Sequence, residues 1–313
     1  MSPQHSPMPA KDLLAVLLVI VLWGLNFVPT KFALMDLTPL QLGAARFLMI
    51  SLPLILVLPR PQIPLKWLLL YALTQGFGQF GLLFFALQQG MTAALGSVLM
   101  QVQIFITALM AATLLGERLA NSLLLGMAVA AAGLVCFIVS VTSNSDTSGI
   151  TVVSLLLTLA AASMWSSSNI IVRQIHASGR DCKPLALIGW SSLITGTLFT
   201  LCTLSIDGVA AQASWKNVSL TGWLSLLYLS LAASGVAYWL WAVLLTRHPA
   251  SRVAPFSLGI PLVGLLAGIF ILDEKVTNLQ WIGSALVLSA LVFVVVGAQR
   301  AARRAAKRYD VEP

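Results

Sequence analysis

Polar side chains inside long apolar stretches are the residues of this sequence that could bind a small polar ligand. Gln75 and Gln79 are four residues apart, and so are Trp165 and Asn169, so each pair shares one face of a helix. Amides donate and accept hydrogen bonds, and aromatic faces attract cations. The candidate ligand-binding residues are Asn26, Gln75, Gln79, Phe80, Gln101, Gln103, Trp165, Asn169, Tyr238 and Trp241.

These candidates have a structural alternative, because an amide in a membrane helix often only hydrogen-bonds to a neighbouring helix. For Asn26 and Asn169 the two roles are equally favoured, whereas Gln79 is favoured as a ligand-binding residue. Gln101 and Gln103 lie about 200° apart around a helix, so they cannot both face one cavity. The tryptophans are more often packing residues or anchors at the membrane surface.

Arg46 is the one charged residue well inside an apolar stretch. Its guanidinium could hold a ligand carboxylate through two parallel hydrogen bonds. The favoured alternative is that the side chain extends outward to the membrane surface or bonds a backbone carbonyl. Lys31 and Arg173 are predicted to anchor helix ends. Glu117 and Glu274 lie beside basic neighbours, where capping or pairing explains them better than proton transfer.

Three prolines are predicted to act as hinges, because proline lacks the N–H that an α-helix needs. Pro29 frees the carbonyl group one turn before it and favours a kink at that point. Pro255 and Pro261 interrupt the ninth apolar stretch, where a hinge is favoured over direct contact with a ligand.

The composition decides which elements must position these residues. Of the 313 residues, 58% are hydrophobic and 9% are charged, and the mean hydropathy is +0.93. A soluble domain is about 45–50% apolar and about 25% charged. These values exclude a soluble globular domain, and they exclude a disordered chain, which would be polar and rich in charge. The chain is predicted to be an all-α integral membrane protein.

The net charge of +8 could indicate a polyanionic partner, so the positions of the charges matter. Five basic residues crowd one tail segment beside an apolar stretch, and no nucleic-acid motif accompanies them. This pattern is typical of a juxtamembrane segment that lies on anionic lipid, and no nucleic-acid partner is predicted. The basic tail residues are Arg300, Arg303, Arg304, Lys307 and Arg308.

Ten apolar stretches of roughly 20 residues are each long enough to cross the bilayer. The N-terminal segment lacks the features of a removable signal, so the first stretch is predicted to remain as a span. Fourteen of the 18 Lys and Arg residues fall on one side, which places both termini in the cytoplasm. The predicted spans are 12–34, 39–58, 67–88, 92–115, 122–141, 151–173, 184–206, 221–245, 250–272 and 278–298.

An internal repeat links the two halves of the chain. A shift of 157 positions aligns Glu117 with Glu274, within the runs LGERL and LDEKV, and a shift of 142 aligns Lys31 with Arg173. Because each half holds five spans, the second half must insert upside down relative to the first. Inverted repeats are common in secondary transporters, whose substrate site lies near the midplane between the halves. The predicted units are two five-helix repeats, 12–141 and 151–298, and a basic cytoplasmic tail, 299–313.

Several short sequence motifs follow one another in a specific order along the chain. They are WGLNF at 23–27, ARF at 45–47, LGERL at 115–119, Trp165 with Asn169, and SRVAP at 251–255 followed by LDEK at 272–275. Together they resemble the EamA family of the drug/metabolite transporter superfamily over residues 12–298. GQF at 78–80 and QVQ at 101–103 are most similar to the O-acetylserine/cysteine exporter group.

The resemblance implies a ten-helix exporter of small metabolites in the bacterial inner membrane. It also implies a central cavity lined mainly by spans 1, 3, 4, 6, 8 and 9. The residues do not suggest an enzyme, because all three histidines lie outside the predicted spans and there is no Walker A run. The three cysteines are scattered without a CxxC, so no metal or other cofactor is predicted.

The predicted spans contain no central carboxylate, although proton-driven carriers usually place one in the pathway. The sequence therefore predicts facilitated export or exchange of a small zwitterionic metabolite, such as cysteine or O-acetylserine, by alternating access. One alternative is an exporter of drugs or aromatic amino acids with the same fold. Another is a membrane receptor or scaffold that transports nothing, and a homodimer is left open.

Overall fold

The computed structural model describes residues 8–117, 119–143, 149–179, 182–208, 214–248 and 250–309. Within these ranges all regular structure is helical, and ten helices are long and apolar enough to cross a membrane. The ten predicted spans are confirmed, with ends shifted by a few residues. They are α1 (Ala10–Asp36), α2 (Pro39–Val57), α3 (Leu65–Gln88), α4 (Ala93–Leu115), α5 (Asn121–Thr142), α6 (Val152–Ala177), α7 (Pro184–Asp207), α8 (Leu220–Arg247), α9 (Pro255–Leu272) and α10 (Asn278–Gly297).

The end of the bundle at which α1 begins is called the proximal end here, and the opposite end is the distal end. The helix of α10 continues beyond the span to Tyr309. At the distal end, α2 and α6 start with capping boxes at Thr38 and Thr151. Each threonine side chain accepts a hydrogen bond from the backbone N–H of the third helical residue, and the side chain of that third residue accepts one from the backbone N–H of the threonine. These caps fix where both helices begin.

Helices α4 and α9 end in the same backbone motif. Gly116 (φ 69°) and Asp273 (φ 53°) adopt the left-handed conformation that commonly closes a helix. The N–H of the next residue, Glu117 or Glu274, bonds to the carbonyl six residues before it, at 3.3 and 3.2 Å. The two glutamates aligned by the 157-residue shift therefore leave their helices at equivalent positions.

Changes of helix type occur where the sequence analysis predicted regular helices. Helix α3 contains a π segment, Ala72–Gly78, and α8 contains another, Tyr228–Val236, which begins 156 residues later. Helix α7 ends in a π segment, Thr203–Asp207, and α4 contains a 3-10 turn, Met100–Val102. π segments are frequent at functional sites, because they change the face that the following residues present.

Irregular backbone also lies near the three predicted hinge prolines. Helix α1 is interrupted after Gly24 and resumes at Phe27, two residues before Pro29. Pro255 lies in a 3-10 segment that precedes the regular part of α9, and Pro261 lies within that part. Motion at these points stays a prediction.

Close crossings bring the helices together. At the crossing of α5 and α10, a Cβ on either Gly133 or Gly283 would lie 2.9 Å from the carbonyl oxygen of the other glycine. Small residues permit this approach of two backbones in a membrane protein. On the outside of the bundle, large apolar side chains such as Leu56 (85% exposed) and Val57 (80%) face outward, as lipid contact requires.

Candidate functional site

A narrow cavity of about 30 Å³ lies between α2, α3, α7 and α8. This volume holds about two water molecules, so an amino-acid-sized ligand would require the walls to move apart. The resemblance implied that α3 and α8 line the site, and both do so here. It also implied α1, α4, α6 and α9, which contribute no residue to this cavity. Helices α2 and α7 line the cavity although they were not expected to. The walls are formed by Phe47, Tyr71, Gln75, Gly76, Phe80, Ile188, Ser191, Ser192, Thr195, Ser234 and Tyr238.

The two corresponding π segments contribute directly to this cavity. Gln75 and Gly76 come from the π segment of α3, and Ser234 comes from that of α8. Thr195 packs so closely on Gly76 that a Cβ on that glycine would collide with its side chain. The glycine therefore permits α3 and α7 to approach each other behind the cavity.

Arg46 is buried beside this cavity, with 2% of its surface exposed. The prediction that it extends outward to the membrane surface is wrong, because α2 turns it inward against α3 and α8. Its Nη2 donates to Ser234 Oγ at 3.2 Å, and its guanidinium carbon lies 4.4 Å from the centre of the Phe80 ring. Its Nε and Nη1 have no hydrogen-bond partner among the described residues.

Three of the predicted ligand-binding residues line the cavity: Gln75, Phe80 and Tyr238. Gln75 Oε1 accepts a hydrogen bond from Ser168 Oγ at 2.5 Å, which connects α3 to α6. Gln79 is buried next to Phe80, and its Oε1 has no partner among the described residues. Gln79 itself is not among the residues that line the cavity.

Gln103 and Asn169 hydrogen-bond to each other and do not line the cavity. Asn169 Nδ2 donates to Gln103 Oε1 at 3.0 Å and to Thr107 Oγ1 at 3.2 Å. Ser166 Oγ donates to the backbone carbonyl of Gln103 at 2.9 Å. In this conformation the network connects α4 to α6. Gln101 and Trp165 are half-buried nearby.

Aromatic residues connect α1 to α8 near the break in α1. Trp23 Nε1 donates to the carbonyl of Ala233 at 3.0 Å, within the π segment of α8. The Trp23 ring lies 4.9 Å from Tyr238 and 5.5 Å from Trp241, measured between ring centres. At the break, Asn26 is half-buried and its Oδ1 has no partner among the described residues.

Several cavity residues were missed by the sequence analysis. Tyr71 lies four residues before Gln75 and extends the same helical stripe, so its position was available in the sequence. Ser191, Ser192 and Ser234 were not identifiable in this way, because serine also occurs throughout membrane helices as a packing residue.

A carboxylate closes the contact between α4 and α9 at the distal end. Glu274 accepts hydrogen bonds from the backbone N–H groups of Ala93 (2.7 Å) and Ala94 (2.8 Å), and Lys31 Nζ lies 3.9 Å from its Oε1. The same crossing needs Gly268, since a Cβ there would meet the Glu274 carboxylate and the Ala94 backbone. The predicted capping role of Glu274 is confirmed.

The corresponding residues at the proximal end are arranged differently. Glu117 pairs with Arg173 at 2.9 Å, and both side chains are about half exposed. The proximal half of α4 packs chiefly against α6, whereas its distal half packs against α9. A cleft of about 330 Å³ opens beside the Glu117–Arg173 pair.

The ten-helix fold can now be compared with known proteins. A model of the EamA-like transporter family matches residues 10–139 and matches again over residues 152–296. The chain belongs to the EamA-like transporter family. The resemblance inferred from the sequence is therefore confirmed, and this EamA-like protein is a multi-pass membrane transporter rather than an enzyme.

Similar proteins cover almost the full length of this EamA-like chain. A protein of Escherichia coli (strain K12) named "Probable amino-acid metabolite efflux pump" is 38% identical over 93% of this chain and 96% of its own. A protein of Salmonella typhimurium with the same name is also 38% identical. A crystal structure with 20% identity matches with a TM-score of 0.62 over 95% of this chain and 99% of that chain, which shows the fold alone.

Proposed function

We propose that this protein exports small zwitterionic amino-acid metabolites, with cysteine and O-acetylserine as candidate substrates, across a bacterial inner membrane. The two relatives named as probable amino-acid metabolite efflux pumps support this proposal, since each is similar over nearly its whole length. The cavity chemistry also supports it. Hydroxyls, an amide and aromatic rings surround a space next to a buried guanidinium.

The transport mechanism that we propose is alternating access between two inverted five-helix repeats. The observation that carries it is the difference between the two ends of α4 and α9. At the distal end the Glu274 carboxylate caps the start of α4, whereas at the proximal end its repeat counterpart, Glu117, lies in an open cleft. This arrangement corresponds to a conformation that is closed at the distal end.

The repeat shift predicts the other conformation. The positions 157 residues after Ala93 and Ala94 are Ala250 and Ser251, at the start of the segment that leads into α9. We expect Glu117 to cap this segment when the proximal end closes, in the way that Glu274 caps α4 here. Arg173, at the position aligned with Lys31, would then lie beside the capped Glu117.

The orientation in the membrane follows from the charge distribution. We place the proximal end, with both termini, in the cytoplasm, so the distal end faces outward. The basic tail then lies against anionic lipid of the inner leaflet. The conformation described here is then the one that is closed toward the outside, and a homodimer stays a prediction that the fold neither requires nor opposes.

Within the site, we assign the amide oxygens and aromatic faces to the substrate ammonium group. Asn26 and Gln79 carry side-chain acceptors that have no partner among the described residues, and Tyr238 and Trp241 offer ring faces. Gln101, Gln103, Trp165 and Asn169 would contribute once α4 and α6 separate. The residues that line the cavity include no carboxylate, which favours facilitated export or exchange over proton coupling.

The test is transport by purified protein in proteoliposomes, with a panel of cysteine, O-acetylserine, aromatic amino acids and cationic drugs. We expect uptake or exchange of the small amino acids, and no loss of rate when an imposed pH gradient is collapsed. Transport of the drugs or aromatic amino acids alone would replace the proposed substrate with the alternative one. Complete loss of uptake on collapse of the gradient would contradict the proposal of uncoupled transport.

A further inference from the structure

The buried guanidinium of Arg46 has far fewer partners than it needs. An arginine carries five N–H donors, and burying an unpaired charge in a protein is costly. One hydrogen bond, to Ser234, and the ring face of Phe80 are its polar and aromatic contacts, while Nε and Nη1 have no hydrogen-bond partner in the part of the chain that the structure describes. Arg46 forms no ion pair with a carboxylate in the described ranges.

The surroundings of Arg46 connect it to the cavity. Its two contact residues, Phe80 and Ser234, both line the cavity, and so does the adjacent residue Phe47. Ser234 Oγ itself donates to the carbonyl of Leu229 at 2.8 Å, so this hydroxyl is held in place within the π segment of α8. A modest displacement of the Phe80 ring, which covers the guanidinium, would expose Arg46 to a ligand in the cavity.

We propose that Arg46 is the receptor for the carboxylate group of the transported molecule. This inference rests on the proposed function and specifies which chemical group the site requires. A carboxylate presents two oxygens that fit the parallel donors of a guanidinium. It also supplies a negative charge to pair with Arg46, which has no carboxylate partner among the described residues. Lysine would not reproduce the geometry, because its ammonium is a single point charge.

The assignment predicts a specificity rule. Molecules with a free carboxylate bind, whether or not they carry an ammonium group, because the pair with Arg46 is the contact that the site requires. Where an ammonium group is present, neutral oxygens and aromatic ring faces bind it. Amides, esters and decarboxylated amines do not bind well, because they leave Arg46 buried without a counter-charge. This rule distinguishes the protein from a transporter that selects its substrates by side-chain shape alone.

The transport test compares each amino acid with its own amide in proteoliposomes of wild-type, Arg46→Gln and Arg46→Lys protein. We expect wild-type protein to prefer the acid at least about tenfold. Arg46→Gln should abolish this preference, so that the acid and its amide are transported at similar rates. Arg46→Lys should give an intermediate preference, and Arg60→Gln, which alters an exposed loop arginine, should behave like wild type. Equal losses for acid and amide would overturn the inference.

A second measurement uses wild-type protein alone, so it does not depend on the folding of a variant. Detergent-solubilised protein is heated with simple organic carboxylates, amino acids and the matching amides, and the melting temperature is recorded. We expect the carboxylates to raise the melting temperature and the amides to leave it unchanged. Equal shifts for both classes would also overturn the inference. If wild-type protein moves no amino acid, the proposed substrate is wrong, and these shifts still test the role of Arg46.

Discussion

Replacement of Glu274 by glutamine should open the distal end of the protein. The carboxylate accepts two backbone hydrogen bonds, at 2.7 and 2.8 Å, and its side chain is only 9% exposed. A hydrogen bond to a charged group contributes roughly 1.5–3 kcal/mol. Glutamine keeps one acceptor oxygen but loses the charge and turns an NH₂ group toward a backbone N–H. The substitution should destabilise the distal-closed conformation relative to the distal-open one by about 2–3 kcal/mol.

That loss changes the ratio of distal-open to distal-closed protein by about 30-fold to 150-fold, since 1.4 kcal/mol is a factor of ten. The assay is labelling of Ser97→Cys by a membrane-impermeant maleimide in a background without native cysteines. Ser97 is 2% exposed and contacts the Pro261 carbonyl between α4 and α9, so labelling requires that the distal end opens. Glu274→Gln should raise the labelling rate strongly.

Glu117→Gln is the matched control, because Glu117 is the repeat counterpart of Glu274. Its pair with Arg173 is exposed and contributes only about 0–1 kcal/mol here, whereas its expected cap would stabilise the opposite conformation. Glu117→Gln should therefore lower labelling of Ser97→Cys, the opposite sign from Glu274→Gln. An unchanged rate in Glu274→Gln, or changes of the same sign in both variants, would refute the exchange of caps.

The remaining predictions concern the site and the packing. Gln79→Leu should abolish transport while leaving membrane insertion intact, and normal transport rates in proteoliposomes would assign Gln79 to packing. Asn169→Leu should lower stability by about 1–2 kcal/mol, measured by thermal unfolding, because it removes two hydrogen bonds to α4. Gly133→Leu should lower the melting temperature more than Gly116→Ala, because a Cβ at position 133 would meet the Gly283 carbonyl at 2.9 Å whereas position 116 has open space. Greater destabilisation by Gly116→Ala would mean that its left-handed φ outweighs the close contact.

The ten helices were predictable because the bilayer imposes a local rule. Each span must satisfy its own backbone hydrogen bonds and must be apolar over about 20 residues, and both conditions can be read in a short stretch of sequence. The π segments in α3 and α8 were not predictable in this way. A π turn uses the same residue types as an α turn, and the packing of neighbouring helices selects between them.

The site residues divide along the same line. Helical spacing identified Gln75, Phe80 and Tyr238, which line the cavity, because spacing along one helix determines which residues share a face. It could not determine where Arg46 points, since an arginine in a span can extend outward or inward and only the position of α8 decides. The outward interpretation was wrong for this reason.

The sequence by itself determined the membrane location, the number of helices and the correspondence of Glu117 with Glu274, because these depend on composition and on spacing along the chain. Only the tertiary structure decided that Glu274 caps α4 while Glu117 pairs with Arg173, and that Arg46 is buried with no carboxylate partner within the described ranges. Those outcomes depend on which helices meet across the bundle. A contact between residues almost 200 positions apart has no signature in the local sequence.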